Sequence, residues 1–462
     1  MKLGASNSSS CRGSVLIIVL WVSLGLVATA LYFANSMMLE LKAADNNVAS
    51  MEADQAIEGG ALYVSNILAT RNNMMMIPTP DLFHAEAVKV GSAKFWLIGR
   101  DTNDLQTSAQ GDHPVWGLID ECSRVSLNNS TAAMLQLLPQ MTENTAAAMF
   151  DWQGTNATPS TDGAKSETYS ALNPPYLCKS SNYESPEELR MVFGLNMDYL
   201  YGEDANLNGI LDPNENDGMT LPPYDNQDGI LDPGLLEYVT VWSHEPTIGT
   251  NGSPRISVAN TAALTSFISS NYPSLSHYFP NSTGGAGGAG GPGGRTGGAA
   301  TAAAGTYSSV LQLYSQTGMS ASDFQQIEPF LMNPSVVGLI NVNTATATAL
   351  SCIPGIGATL APQILAYRQS NPPQTPSITW LTSAITDPSL VATIGPYVTP
   401  YSWQFTADIA AVGHDNRGYR RVRFVFDCSS GTPLIIYRQD LTNLGWALGK
   451  KLHDKLLADN SK

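Results

Sequence analysis

Charge is scarce in this chain: 13% of its 462 residues are charged, 23 basic against 39 acidic, for a formal net charge of −16. Nucleic-acid phosphate and anionic membrane surfaces are held by concentrated Lys and Arg, so the balance argues against both as principal partners. Cysteine is sparse as well. Cys11, Cys122, Cys178, Cys352 and Cys428 show no C-x-x-C spacing, which argues against a zinc site or a redox pair. Catalytic signatures are missing too. His84, His113, His244, His277, His414 and His453 are scattered, and neither H-E-x-x-H, G-x-S-x-G nor a phosphate loop occurs. His244-Glu245 and His414-Asp415 are adjacent pairs whose side chains tend to diverge, and Asp120-Glu121 reads as a turn bracket. No enzymatic activity is expected. What the chain does have is apolar content, 43%, and length enough for two or three domains with a sizeable core. Abundant Ser, Thr, Asn and Gly suit an exported surface.

The first long apolar run decides the compartment. Ser14 to Leu39 carries no charge, and its apolar heart is Val15 to Ala34. As a helix that heart spans roughly 30 Å, the thickness of a bilayer's hydrocarbon core. Lys2 and Arg12 precede it, while Glu40, Asp45, Glu52 and Asp54 outweigh Lys42 after it. The positive-inside bias then places the N-terminus in the cytoplasm and the remainder outside. Ala28-Thr29-Ala30 would serve as a signal-peptidase site, but the apolar run is long and continues into an amphipathic pattern through Leu39, Leu41, Val48, Met51, Ile57, Leu62 and Ile67. The junction Cys11-Arg12-Gly13-Ser14-Val15 resembles a type IV prepilin-class signal, in which a membrane peptidase cuts after the glycine. Gly13 and Ser14 are therefore the candidate processing residues. Most pilins and pseudopilins carry Glu at the fifth mature position; here it is Ile18. A carboxylate in hydrocarbon must be paired, usually with a neighbouring subunit's amine, and a subunit without it suits the first place in a filament.

Further along, one phrase recurs. Ser126-Leu127-Asn128, Leu135, Leu138-Pro139, Met141, Ala146 and Trp152 align without gaps with Asn341-Val342-Asn343, Leu350, Ile353-Pro354, Ile356, Ala361 and Tyr367. Each copy reads as a polar cap, an apolar-periodic helix, a Pro-marked turn and a second amphipathic helix. Arg255-Ile256-Ser257-Val258 with Asn260-Thr261-Ala262 repeats the opening once more. Pro354-Gly355-Ile356-Gly357 makes the second copy resemble a helix-hairpin-helix unit, a usual phosphate cradle. Yet Arg368 is the only charged residue from Pro334 to Asn371, so a packing role is expected, not DNA binding.

The order of motifs resembles the type II secretion system protein K family, the large minor pseudopilin. It runs Trp116-Gly117-Leu118-Ile119-Asp120-Glu121, Val125-Ser126-Leu127-Asn128, Leu138-Pro139, Asp151-Trp152 and Pro174-Pro175-Tyr176. Ser185-Pro186-Glu187-Glu188-Leu189-Arg190 and Ile340-Asn341-Val342-Asn343-Thr344-Ala345 complete it. That family also lacks the fifth-position Glu, and the resemblance covers nearly the whole chain, with inserts at roughly 200–235 and 280–335. It implies an α+β pseudopilin fold, a long N-terminal helix packed on a small antiparallel sheet, with a large, mostly α-helical inserted domain. It also implies a single-pass inner-membrane subunit with a periplasmic head, assembling at the pseudopilus tip. Its partners would be other minor pseudopilins, the major pseudopilin, the prepilin peptidase and the inner-membrane secretion platform, with no nucleic acid. A membrane-anchored DNA-uptake receptor and a signal-anchored calcium-dependent adhesin are the alternatives.

Asp204 to Glu215 fits the twelve-residue calcium loop. Asp204, Asn206 and Asn208 offer side-chain oxygens, Gly209 the sharp turn, Ile210 its carbonyl, Asp212 a direct or water-mediated contact, and Glu215 two closing oxygens. Asp225 to Asp232 repeats the Gly-Ile-Leu-Asp core, but Tyr224 and Leu235 occupy its first and twelfth positions. Asp225, Asp228, the Ile230 carbonyl, Asp232 and Glu237 are its candidate ligands, and calcium is expected as a structural clamp. Gly284 to Gly305 reads as a flexible linker. Met74-Met75-Met76 reads as an apolar plug ending the stem. Strand-like runs are Ala93–Arg100, Val115–Asn128, Trp403–Val412, Arg420–Cys428 and Pro433–Arg438, the last two a hairpin. Cys122 and Cys428 fall in such runs and are candidates for a bridge, with connectivity open. The expected organisation is a leader at 1–13, a membrane helix at 14–39, and stem with first strands at 40–128. An inserted helical domain follows at 129–400, with calcium loops at 204–237 and linker at 284–305, and closing strands at 401–462.

Overall fold

The computed structural model describes residues 12–70, 75–78, 80–100, 113–220, 222–249, 252–279, 306–373 and 375–459. The Gly284 to Gly305 segment and Met74 lie outside the described residues. Helix α1 is a single span, Arg12–Thr70. Gly13 and Ser14 fall within that span, and their side chains are outside the described residues. The helix divides by composition. Its first part is apolar all round and exposed, long enough to cross a membrane. Its second part buries Ala53, Ile57, Ala61, Val64 and Leu68, spaced three and four residues apart so that they share one face, with Ala56 beside them.

That face lies on an antiparallel sheet of β1 (Val88–Val90), β2 (Ala93–Ile98), β3 (Ile119–Asp120), β4 (Gln404–Val412), β5 (Arg420–Asp427) and β6 (Leu434–Asp440). The order is β1-β2-β4-β5-β6, with β3 also paired to β4. β4 is buried throughout because both its faces are covered. With the period of two, Phe405, Ala407, Ile409 and Ala411 meet α1, while Ala410 and Val412 pack with Ala447, Leu448 and Leu456 on the reverse. The contact is close. A Cβ on Gly60 would come within 3.2 Å of Ile409, so the glycine lets helix and strand approach.

The expected strand over Val115–Asn128 is shorter and broken. Only Ile119–Asp120 pairs with β4; Asp120 then caps a 3-10 turn at Glu121–Ser123, accepting from the Cys122 amide at 2.9 Å. A local carboxylate cap competes with strand propagation, and the chain turns out of the sheet. Asp120-Glu121 thus brackets a turn, as its composition suggests.

Between β3 and β4 lies a mostly helical insertion. The sequence repeat is structural: Ala132–Leu135 and Glu143–Gln153 in the first copy correspond to Ala347–Ser351 and Gly357–Ser370 in the second. Each opening phrase forms a two-residue strand paired in parallel with a later one. Val125–Ser126 joins Val239–Thr240, Ile256–Ser257 joins Leu331–Met332, and Ile340–Asn341 joins Val398–Thr399. Three modules are thereby closed on themselves, and they share one hydrophobic core running from Val125 to Val398.

Candidate metal loops and their seat on the sheet

The first loop folds as its spacing requires. Leu207 and Gly209 take positive φ, 54° and 75°, which turns alternate side chains toward a common centre. Asp204 accepts from the amides of Asn208 (2.9 Å) and Gly209 (2.8 Å), and Asn206 Oδ1 accepts from Asn208 N at 3.0 Å. Asn208 Oδ1 accepts from Ile210 N at 2.8 Å. Glu215 reaches back to the amides of Ala205 and Asp212, both at 3.0 Å. Asp212 accepts from the side-chain amides of Asn206 and Asn208. All five side chains are buried. Burial raises the pKa of Asp204, Asp212 and Glu215, and the Asp204 charge raises Glu215 further. Hard oxygens on a tight twelve-residue loop, with buried carboxylates in mutual repulsion, fit a calcium ion. Among the described residues no three His, Cys, Asp or Glu side chains gather as a metal group; here asparagines interleave the carboxylates.

The second loop has the same conformation. Gln227 and Gly229 have φ of 58° and 76°, and Asn226 accepts from Asp228 N, Asp228 from Ile230 N, each at 2.8 Å. Asn226 Nδ2 donates to Asp232 at 3.3 Å, as Asn206 does to Asp212. Asp225 instead accepts from the Asp217 and Gly218 amides. The missing twelfth-position carboxylate is replaced from outside the loop. Glu203 accepts from the amides of Asn226 (3.4 Å) and Asp232 (3.0 Å), the two-amide grip that Glu215 makes in the first loop. Glu203 was not legible as a candidate because it precedes the first loop by one residue. Glu237 belongs elsewhere: it pairs with Arg100 at 2.9 Å and faces Arg124 at 3.9 Å.

The first loop is tied to the body through arginines. Arg421, on β5, pairs with Asp408 of β4 at 2.7 Å and donates to the Asn206 and Leu207 carbonyls. Arg100 donates to the Leu207 carbonyl at 2.8 Å and to that of Asn208 at 3.3 Å. Asp408, fully buried, also pairs with Arg423 at 2.9 Å; despite burial, the two guanidiniums hold its pKa down at about 2. Asp120 accepts from Asn341 (3.1 Å) and Ser402 (2.6 Å), and Glu121 from Thr240 and Thr406, joining sheet and insertion. The segments Tyr238-Val239-Thr240 and Tyr397-Val398-Thr399, each with a serine three residues on, are a further repeat, and each pairs with the opening strand of its module.

The helix-hairpin-helix turn is a packing device. A Cβ on Gly355 would lie 2.7 Å from Leu390 of the helix Pro388–Ile394, so the hairpin is covered on that side. Arg368 is buried and donates to the Val342 and Ala345 carbonyls at 3.1 and 2.8 Å. The adjacent pairs diverge as expected: His244 faces Asp427 while Glu245 binds Arg255, and His414 turns to α1. Cys122 and Cys428 are buried thiols without a disulfide between them. They serve opposite faces of the sheet, Cys122 beside Gln404 and Cys428 in the core under α1. Met75 and Met76 line a cavity of about 470 Å³ beside Asn341, Thr344 and Ser402.

A stem helix on an antiparallel sheet, interrupted by a modular helical insertion, is a pseudopilin-like fold. Residues 127–200 match the family model described as Type II secretion system (T2SS), protein K. Over that segment the chain is similar to protein K of the type II secretion system, in agreement with the resemblance its motifs carry. Residues 337–375 match a helix-hairpin-helix motif. No curated protein matches the chain. Among solved structures, a chain of the crystal structure of the GspK-GspI-GspJ complex from the enterotoxigenic Escherichia coli type 2 secretion system is similar at 10% identity and a TM-score of 0.34. The similarity covers 89% of this chain and 99% of that one.

Proposed function

We propose that this chain is a minor pseudopilin that assembles at the tip of a type II secretion pseudopilus and supports protein export across the outer membrane. The observation that carries the reading is the protein K segment, 127–200, set between β3 and β4 of a sheet that docks the stem helix. The apolar half of α1 anchors the subunit in the inner membrane, N-terminus cytoplasmic and head periplasmic, until a prepilin peptidase cuts between Gly13 and Ser14 and methylates the new terminus. Ile18 leaves the mature helix without the carboxylate that would address a subunit above it, which suits the first position. Other minor pseudopilins, the major pseudopilin and the membrane platform are its partners.

Calcium fills the first loop through Asp204, Asn206, Asn208, the Ile210 carbonyl, Asp212 and Glu215, and the second through Asp225, Asp228, the Ile230 carbonyl and Asp232, with Glu203 closing it. Bound there, the ion supplies positive charge that offsets the buried carboxylates. Nucleic acid is not a partner in this reading, since Arg368 spends its charge on the chain's own carbonyls.

Intact mass and N-terminal analysis of the chain recovered from membranes containing its peptidase tests the proposal. A mature start at Ser14, with co-purification of the other minor pseudopilins, is the expected outcome. An uncut Met1, or a start inside the apolar helix, would overturn it.

A further inference from the structure

Residues 413–418 of the loop joining β4 to β5 close on α1 where the helix leaves the sheet. A Cβ on Gly413 would lie 2.1 Å from the Ala49 carbonyl oxygen, and one on Gly418 2.4 Å from the Ala49 carbonyl carbon, so backbone meets backbone. Among the described side chains, none of α1 before Ala49 is buried, which makes this the last grip on the stem. His414 sits at its centre. Its Nδ1 and its amide both lie 2.9 Å from Glu52 Oε2, and its Nε2 lies 3.0 Å from Asp45 Oδ1. A neutral imidazole carries one N–H, and ionised carboxylates only accept. Two carboxylates on two ring nitrogens therefore call for the imidazolium.

We propose that residues 413–418 form a proton-dependent collar, in which doubly protonated His414 locks the membrane-proximal stem to the head and deprotonation loosens it. The charged groups around the ring are Asp45 and Glu52 from α1 and, from its own loop, Arg417, which is ion-paired to Asp45; Asp415 is the next residue in that loop. From β2, Lys94 reaches the loop through Asn416 at 3.4 Å. Hydrogen bonds from Glu52 and Asp45 raise the His414 pKa, and the His414 contacts lower that of Glu52. A raised histidine contributes fully below its unfolded value of about 6.5 and loses its contribution as pH rises through the folded value. A lowered glutamate contributes above its unfolded value and loses its contribution as pH falls through the folded one. The collar is tightest between the two.

The test uses the full chain in detergent micelles or nanodiscs. Imidazole nitrogen NMR measures the His414 titration, and amide hydrogen exchange, corrected for intrinsic rates, follows residues 41–53 from about pH 6 to about pH 9. His414 is expected to titrate above its ordinary value. Protection of 41–53 should fall about tenfold for each unit of that elevation. His414→Gln should show the weaker protection at both ends with no pH step, while residues 60–68 stay protected. A histidine titrating at or below its ordinary value, unchanged protection across the range, or a pH step that persists in H414Q would each overturn the collar. If H414Q does not fold, the wild-type titration and exchange decide alone.

Discussion

Single buried charges set the sharpest expectations. Asp408 faces Arg421 and Arg423 with no exposure of its own side chain, so Asp408→Ala would leave two guanidiniums uncompensated at a cost of about 3–5 kcal/mol. Chemical denaturation should register it as a lower midpoint. Its pKa of about 2 against an ordinary 3.8 means that its contribution is present above the ordinary value and is lost as pH falls from there to about 2. Glu215 points the other way. Its folded pKa is raised, so without metal its ionised form opposes folding, and chelated protein should gain stability as pH falls through that folded value. Glu215→Gln should abolish most of the calcium-induced rise in Tm yet leave the chelated protein at least as stable as chelated wild type. A large loss of stability in the chelated variant would contradict the metal-site reading. The turn of the first loop was legible because its Asp, Asn and Gly residues stand at fixed spacing within one segment. Glu203 was not, because its partner loop begins some twenty residues later and only the fold joins them.

At the scale of elements, backbone proximity matters more than side-chain type. Gly413→Ala drives a methyl into the Ala49 carbonyl and should cost about 1–3 kcal/mol, seen as a lower Tm with faster exchange in the stem around Ala49. Gly355→Ala meets Leu390 and holds a φ of 91°, so it should destabilise the third module. Helical periodicity was readable from sequence because it is local, but the caps are Thr131 and Thr346, a few residues beyond the polar phrases Ser126-Leu127-Asn128 and Asn341-Val342-Asn343. The two-residue parallel strands were not. Too short to show a period of two, they exist because each module brings its ends together over a buried core. The strand over Val115–Asn128 failed for a related reason, an apolar run being interrupted by the Asp120 cap.

For the whole molecule, calcium should act through the arginines that join the first loop to the sheet. Addition of calcium to the full chain at a hundredfold excess over Kd should stabilise it by about 2.7 kcal/mol per site, lost again with chelator. Exchange protection should rise in β5 as well as in the loops, because Arg421 links Asp408 to the Asn206 and Leu207 carbonyls. Protection confined to 204–232 would show that the metal stabilises only its own loops.

The sequence alone determined the uncharged membrane-length helix with Ile18 in it, the repeated helical phrase and the turn of the first candidate metal loop. Each is written in neighbouring residues, at the period of a helix or the spacing of a ligand loop. Tertiary structure alone decided that β3 and β4, far apart in the chain, pair across the insertion, and that Glu203 serves the second loop. It also decided that Arg421 reaches the first loop and that His414 grips Asp45 and Glu52. Those contacts depend on distances closed by the burial of a common core, and no local pattern encodes a distance between segments hundreds of residues apart.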